Sequence, residues 1–85
     1  MPFELSPRIL YIAGLDSVLL PARVGGRPVR VLVSYAALAR RFGAAGASRE
    51  QSARLAVLAN RSRIEALVRD RLAAGPPVGG ELTIE

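Results

Sequence analysis

Three arginines gather around one glycine pair in the stretch PARVGGRPVRVLVS at residues 21–34, where Arg23, Arg27 and Arg30 flank Gly25-Gly26. Guanidinium groups fork onto carboxylates and phosphates, so such a cluster is a candidate contact for an anion or an acidic partner. A second pair, Asn60-Arg61, sets an amide beside a guanidinium. The amide could tie a helix to a loop or to the sheet, and the arginine could bind a carbonyl, a carboxylate or an external anion. Beyond these five residues the chain offers little chemistry. It has no histidine and no cysteine, which removes imidazole and thiolate ligands, cysteine nucleophiles, disulfides and any base with an ordinary pKa near neutrality. The seven carboxylates, Glu4, Asp16, Glu50, Glu65, Asp70, Glu81 and Glu85, are scattered, with no spacing that recurs in metal or acid–base motifs. No serine, threonine or tyrosine has a visible activating partner. The expectation is a protein that is not an enzyme, with no metal and no cofactor.

Charge points toward anions less firmly than it first suggests. The formal net charge is +5 on 85 residues, and all twelve basic residues are arginine. A basic balance ordinarily suggests nucleic acid or another anionic surface. Yet the same chain is rich in Ala, Gly, Pro and Val, and those residues share G- and C-rich codons with arginine. A GC-rich bacterial genome explains the absence of lysine with no demand for guanidinium chemistry.

The elements that must position these residues follow from pattern. Residues 1–7 carry two prolines and read as an extended lead-in. A first strand is expected at 8–14, with a turn at 15–17. Gly25-Gly26 then joins two β-rich runs in a two-residue hairpin. Its register opposes Val24 to Arg27, Ala22 to Val29, Leu20 to Val31 and Val18 to Val33 on one apolar face. Leu19, Pro21, Arg23, Pro28, Arg30 and Leu32 fall on the other, mixed face. Neither proline can donate to a ladder, so both belong at a sheet edge or beyond regular pairing.

Ser34 caps a short helix at 35–42, stopped by Gly43, with Ala36, Leu38, Ala39 and Phe42 as its buried side. A flexible link at 43–47 follows. Ser48 and Gln51 form a capping-box signature for one long helix at 49–74. Its inward stripe is Ala53, Val57, Asn60, Ile64, Leu67 and Val68, with Asn60 as a buried polar member; Glu65 and Arg69 are an i,i+4 ion pair. Leu55 and Leu58 lie off that stripe and are open to a partner. Residues 80–85 alternate as a closing strand with Leu82 and Ile84 on one side.

The stretches VLLPARVGGRPVRVLVSYAALARRFGA at 18–44 and LANRSRIEALVRDRLAAG at 58–75 resemble the small bacterial domain-of-unknown-function family numbered 1488. The features that carry the resemblance are Gly26, Ser34, Ala37, Leu38, Phe42 and Gly43, then Asn60, Arg61 and Ile64. Two departures stand out: the family commonly has an aromatic residue in the strand where this chain reads VLLPA, and often another where Leu58 stands. The resemblance implies an α+β fold with a small antiparallel sheet and two helices, and it implies no established activity.

One α+β domain over 1–85 is therefore expected: a small antiparallel sheet of about three N-terminal strands and one C-terminal strand, against one short and one long helix. No stretch approaches the roughly 18 apolar residues of a membrane span, and the N-terminus lacks a basic segment leading into an apolar one. A cytoplasmic location and no membrane partner are expected. The function read from these features is a non-catalytic module acting through protein contacts or as a homodimer. The alternative is a nucleic-acid-binding or regulatory protein that uses the outer face of the 18–34 hairpin.

Overall fold

The hairpin built on Gly25-Gly26 is the centre of the molecule. In a computed structural model, which describes residues 2–46 and 48–85, strand β3 (Ser17–Val24) pairs antiparallel with β4 (Arg27–Ser34). Their register runs from Val24 opposite Arg27 to Ser17 opposite Ser34, as the alternation required. Both turn glycines adopt positive φ, 58° and 83°, which fits the primed turns that match strand twist.

The far side of β3 carries two short strands rather than one. The lead-in supplies β1 (Phe3–Leu5), paired with Ala22–Val24. The strand expected at 8–14 shrinks to β2 (Leu10–Ile12), paired with Ser17–Leu19, and residues Ala13–Leu15 turn as a single 3-10 segment. Pro21 explains the division. Its carbonyl accepts from Ser6 N at 2.8 Å on that side, so its missing N–H falls where the edge is interrupted. Pro28 lies two residues before Arg30, the first β4 residue that meets the next strand. The lead-in is thus part of the sheet, although Met1 lies outside the described residues.

Helix α1 (Tyr35–Phe42) has the expected bounds, with Ser34 Oγ accepting from Ala37 N and Gly43 closing it at φ 69°. Its buried side is Ala37, Leu38 and Phe42; Ala36 and Ala39 are exposed. Leu38 and Phe42 are buried as expected; the difference is that Ala37 takes the place of Ala36 and Ala39, three like side chains that the sequence does not distinguish. The link that follows is anchored where it is described. Ala44 is buried, and Ser52 Oγ donates to Ala45 O at 2.9 Å; Ala47 lies outside the described residues.

The single long helix expected at 49–74 is two, α2 (Arg49–Ala59) and α3 (Arg61–Ala74), broken at Asn60. The inward stripe nonetheless keeps its phase across the break, with Ala53, Val57, Ile64 and Val68 all buried. Ser48 Oγ accepts from Gln51 N at 3.3 Å at the start of α2. Strand β5 (Glu81–Ile84) then pairs with β4, Arg30 opposite Glu81 and Val33 opposite Ile84. This pairing is parallel, a correction to a purely antiparallel sheet. The three helices return the chain to the starting end of β4, so the last strand enters in the same direction.

The result is an α+β fold with a five-stranded, mostly antiparallel sheet and three helices. The core lies on one face of that sheet: Val18, Leu20, Val31 and Val33 meet Leu38, Val57, Ile64 and Val68, with Leu82 and Ile84 from β5. Among the described residues, no helix is long and apolar enough to cross a membrane.

Candidate functional site

Helices cover one face of the sheet, so every second strand residue points the other way. Apart from Ser17, none of these outward residues is buried. Leu10, Ile12, Leu19 and Leu32 are half-buried, yet they belong neither to the core nor to the partly buried fringe packed against it. Pairing aligns them in a row. Leu10 opposes Leu19 and Leu19 opposes Leu32, so one apolar band crosses three strands, and Thr83 stands opposite Leu32 at its end. Ile12 extends it on one side and Pro21 on the other.

Next to this band the face becomes charged. Arg30 opposes Glu81, with Nη2 to Oε2 at 3.3 Å. Arg23 opposes Glu4 across the β1–β3 pair, and its Nη1 donates to Gly26 O at 3.4 Å. A cleft of about 410 Å³ opens here among Pro7, Arg8, Pro21, Arg23 and Pro28. The outer hairpin arginines are therefore distributed: Arg23 and Arg30 share the uncovered face, each opposite a carboxylate, while Arg27 is exposed at the turn.

Asn60 and Arg61 sit in the helical layer and turn toward backbone carbonyls. Asn60 Nδ2 donates to Ala56 O at 2.9 Å and to Phe42 O at 3.3 Å, and its Oδ1 accepts from Arg63 Nη1 at 3.2 Å. Asn60 N is shared between Ala56 O at 3.1 Å and Val57 O at 3.2 Å, so the side-chain amide adds a second donor to Ala56 O at the break, where Asn60 leaves helical geometry with φ −122°. It is half-buried rather than buried. Arg61 Nη2 donates to Leu5 O at 3.2 Å and also to Ser6 O. Its Nε lies 3.7 Å from Glu65 Oε1. Glu65 thus pairs with Arg61 in place of the expected Arg69, whose guanidinium lies 5.2 Å from the centre of the Phe3 ring.

A third cluster escaped sequence reasoning. The Tyr11 hydroxyl donates to Asp16 Oδ1 at 2.9 Å, Arg49 binds the other carboxylate oxygen, and the Arg49 guanidinium lies 4.7 Å from the Tyr35 ring centre. The bond to Asp16, with desolvation and the carboxylate's charge behind it, raises the Tyr11 pKa above its ordinary 10.0. Asp16 holds φ at 46°, the one non-glycine residue in the left-handed region among those described. These groups satisfy one another across a turn and the start of α2. No group of three or more His, Cys, Asp or Glu able to hold a metal ion occurs among the described residues.

Of the five residues singled out from sequence, two share the uncovered face, one sits at its turn and two lock the helical layer. Leu10, Glu4 and Glu81 were missed as members of that face. Only Glu81 lay in a segment read as alternating, and the neighbours of all three are fixed by pairings to β3 and β4 that no local pattern specifies.

A family model described as "Protein of unknown function (DUF1488)" matches residues 7–83. The chain is similar in fold to a solved crystal structure of a protein of unknown function from that family, from Shewanella loihica PV-4. The TM-score is 0.71, over 98% of this chain and 91% of that one, at 14% identity. No curated protein matches the chain.

Proposed function

The chain belongs to the DUF1488 family, and we propose that it acts as a non-catalytic contact module, binding another protein through the uncovered face of its sheet. That face is apolar at its middle and carries both signs of charge beside the apolar part. One observation carries this reading: the row Leu10, Leu19, Leu32 is half-buried yet stands apart from the core and its fringe. Contiguous apolar surface rimmed by polar groups is characteristic of protein interfaces. The composition supports the non-catalytic half of the reading, because histidine and cysteine are both absent.

The nucleic-acid alternative draws support from the exposure of Arg23, Arg27 and Arg30. It is the weaker reading, because Arg30 is neutralised by Glu81 and Arg23 stands opposite Glu4. Stacking partners are also few, with two tyrosines and two phenylalanines in the chain.

The test is a photoreactive phenylalanine analogue placed at position 32, with position 66 on exposed α3 surface as control. A polypeptide adduct formed from position 32, lost on Leu19→Glu and absent from position 66, supports the reading. An adduct released by nuclease, or none, overturns it. Fluorescence anisotropy with labelled duplex DNA and single-stranded RNA gives the complementary arm, since binding through phosphates weakens steeply as salt rises.

A further inference from the structure

We infer that the surface which covers this face is the same face of a second copy of the chain. The inference rests on the contact reading above and names its partner.

Charge decides between partners. The outward strand residues include two of the twelve arginines, Arg23 and Arg30, and two of the seven carboxylates, Glu4 and Glu81. The outward strand charges cancel, Arg8 at the adjoining cleft adds one positive charge, and most of the surplus of five positive charges lies elsewhere on the molecule. A strongly acidic partner would find its complement on those other surfaces and gain nothing from this one. Two copies of a chain at +5 repel each other least through a surface whose charges nearly balance. This face is that surface.

Shape agrees with charge. Self-complementary dimers are built on a two-fold axis, with the same patch on both partners. When two sheets stack face to face, that axis lies in the plane between them. The leucine row crosses the sheet from β2 through β3 to β4, so an axis running along the row, or along the strands between β3 and β4, lays leucine on leucine. Leu10, Leu19 and Leu32 then fill the middle of a sandwich about 10 Å deep. Arg30–Glu81 and Arg23 opposite Glu4 stay beside the apolar band, where they keep their own partners and reach water.

Size sets the strength. Four strands at about 4.8 Å spacing, and four rows of outward residues at about 6.8 Å, span roughly 20 Å by 27 Å. Two such faces bury on the order of 1,000 Å² together, still below the ~1,200 Å² at which stable interfaces begin. The dimer is therefore a weak one that dissociates on dilution.

Sedimentation equilibrium of the full chain, over a wide concentration range at low and at high salt, tests the inference. The expected result is a reversible monomer–dimer equilibrium that is as strong or stronger at high salt, because screening relieves the repulsion between the two +5 chains. Leu19→Glu weakens it at least tenfold while circular dichroism and the unfolding midpoint hold. Should Leu19→Glu fail to fold, Leu32→Thr serves instead, since threonine keeps the strand and removes apolar area. Leu58→Glu, on the exposed side of α2, leaves the dimer intact. A chain that stays monomeric at every concentration, or a dimer lost on Leu58→Glu and kept on Leu19→Glu, overturns the inference. The photo-adduct from position 32 separates the two levels. Joined to a different polypeptide while the chain sediments as monomer, it retains the contact reading and removes the second copy; with no polypeptide joined, both fall.

Discussion

Arg30 and Glu81 stand 51 residues apart in the chain and face each other across the parallel β4–β5 pair, guanidinium to carboxylate at 3.3 Å. The contact bears on two things at once. It fits a β5 whose Leu82 and Ile84 enter the core and whose polar residues face outward, and it removes one arginine from the positive cluster that the sequence displays. The surface that looked like a phosphate grip is, at this residue, an ion pair.

That pair is open to water, with side chains 61% and 43% exposed, so its effect on stability is small. Glu81→Gln is expected to lower unfolding free energy by less than about 1 kcal/mol. A double-mutant cycle with Arg30→Gln, measured by urea unfolding, checks the coupling. A loss above about 2 kcal/mol would show that β5 depends on the pair for docking.

At the helix break, the Asn60 side chain is engaged within the fold. Asn60→Ala removes the amide that serves the carbonyls of Ala56 and Phe42 and accepts from Arg63. The cost is about 1–3 kcal/mol, equivalent to some 4–8 °C of Tm for each kcal/mol. Asn60→Leu should behave similarly, changing stability more than any partner binding. Unchanged thermal unfolding in both variants would refute this account.

Local pattern was enough for most of the central elements. The Gly25-Gly26 turn and strict alternation determined the β3–β4 register pair by pair, and Ser34 and Gly43 bounded α1 correctly. What stayed hidden depends on partners far along the chain. Whether Glu81 meets Arg30, and in which direction β5 runs, is set by how three helices cross the sheet. Asn60 was visible as a polar residue on an apolar stripe, but periodicity continues through the break, so the pattern could not reveal it. Of the candidate site, Leu19 and Leu32 were legible as outward residues. The row became a band only when β2 brought Leu10 alongside.

Arg61 joins the helical layer to the first strand through the carbonyls of Leu5 and Ser6. Arg61→Ala should leave the β3–β4 hairpin as protected as before while β1 frays. The reporter is hydrogen exchange at the Ser6 amide, which donates to Pro21 O at 2.8 Å. An increase of tenfold or more, confined to residues 3–6, is expected. An equal increase throughout the sheet would mean that Arg61 supports the whole fold, and no increase would mean that it supports nothing.

Tyr11 offers a pH test free of interference. With no lysine and no cysteine, only tyrosine side chains titrate between about pH 9 and 12. The chain has two tyrosines, so Tyr35→Phe isolates Tyr11 and keeps an aromatic ring beneath Arg49. The hydrogen bond to Asp16 holds the folded Tyr11 pKa above its ordinary 10.0. A raised folded pKa means that the folded state grips the proton more tightly than the unfolded state. The resulting stability is complete below the unfolded pKa and is lost as pH climbs through the folded value. Tyr35→Phe protein should therefore lose stability on the alkaline side of pH ~10, and the Tyr11→Phe/Tyr35→Phe variant should lack that loss. Asp16→Asn should bring the phenol titration, followed by ultraviolet absorbance, back toward the ordinary range. Asparagine tolerates the left-handed backbone that Asp16 adopts, so the turn survives the change. A Tyr11 midpoint that matches the unfolded chain, or one that ignores Asp16→Asn, would break the link between this hydroxyl and that carboxylate.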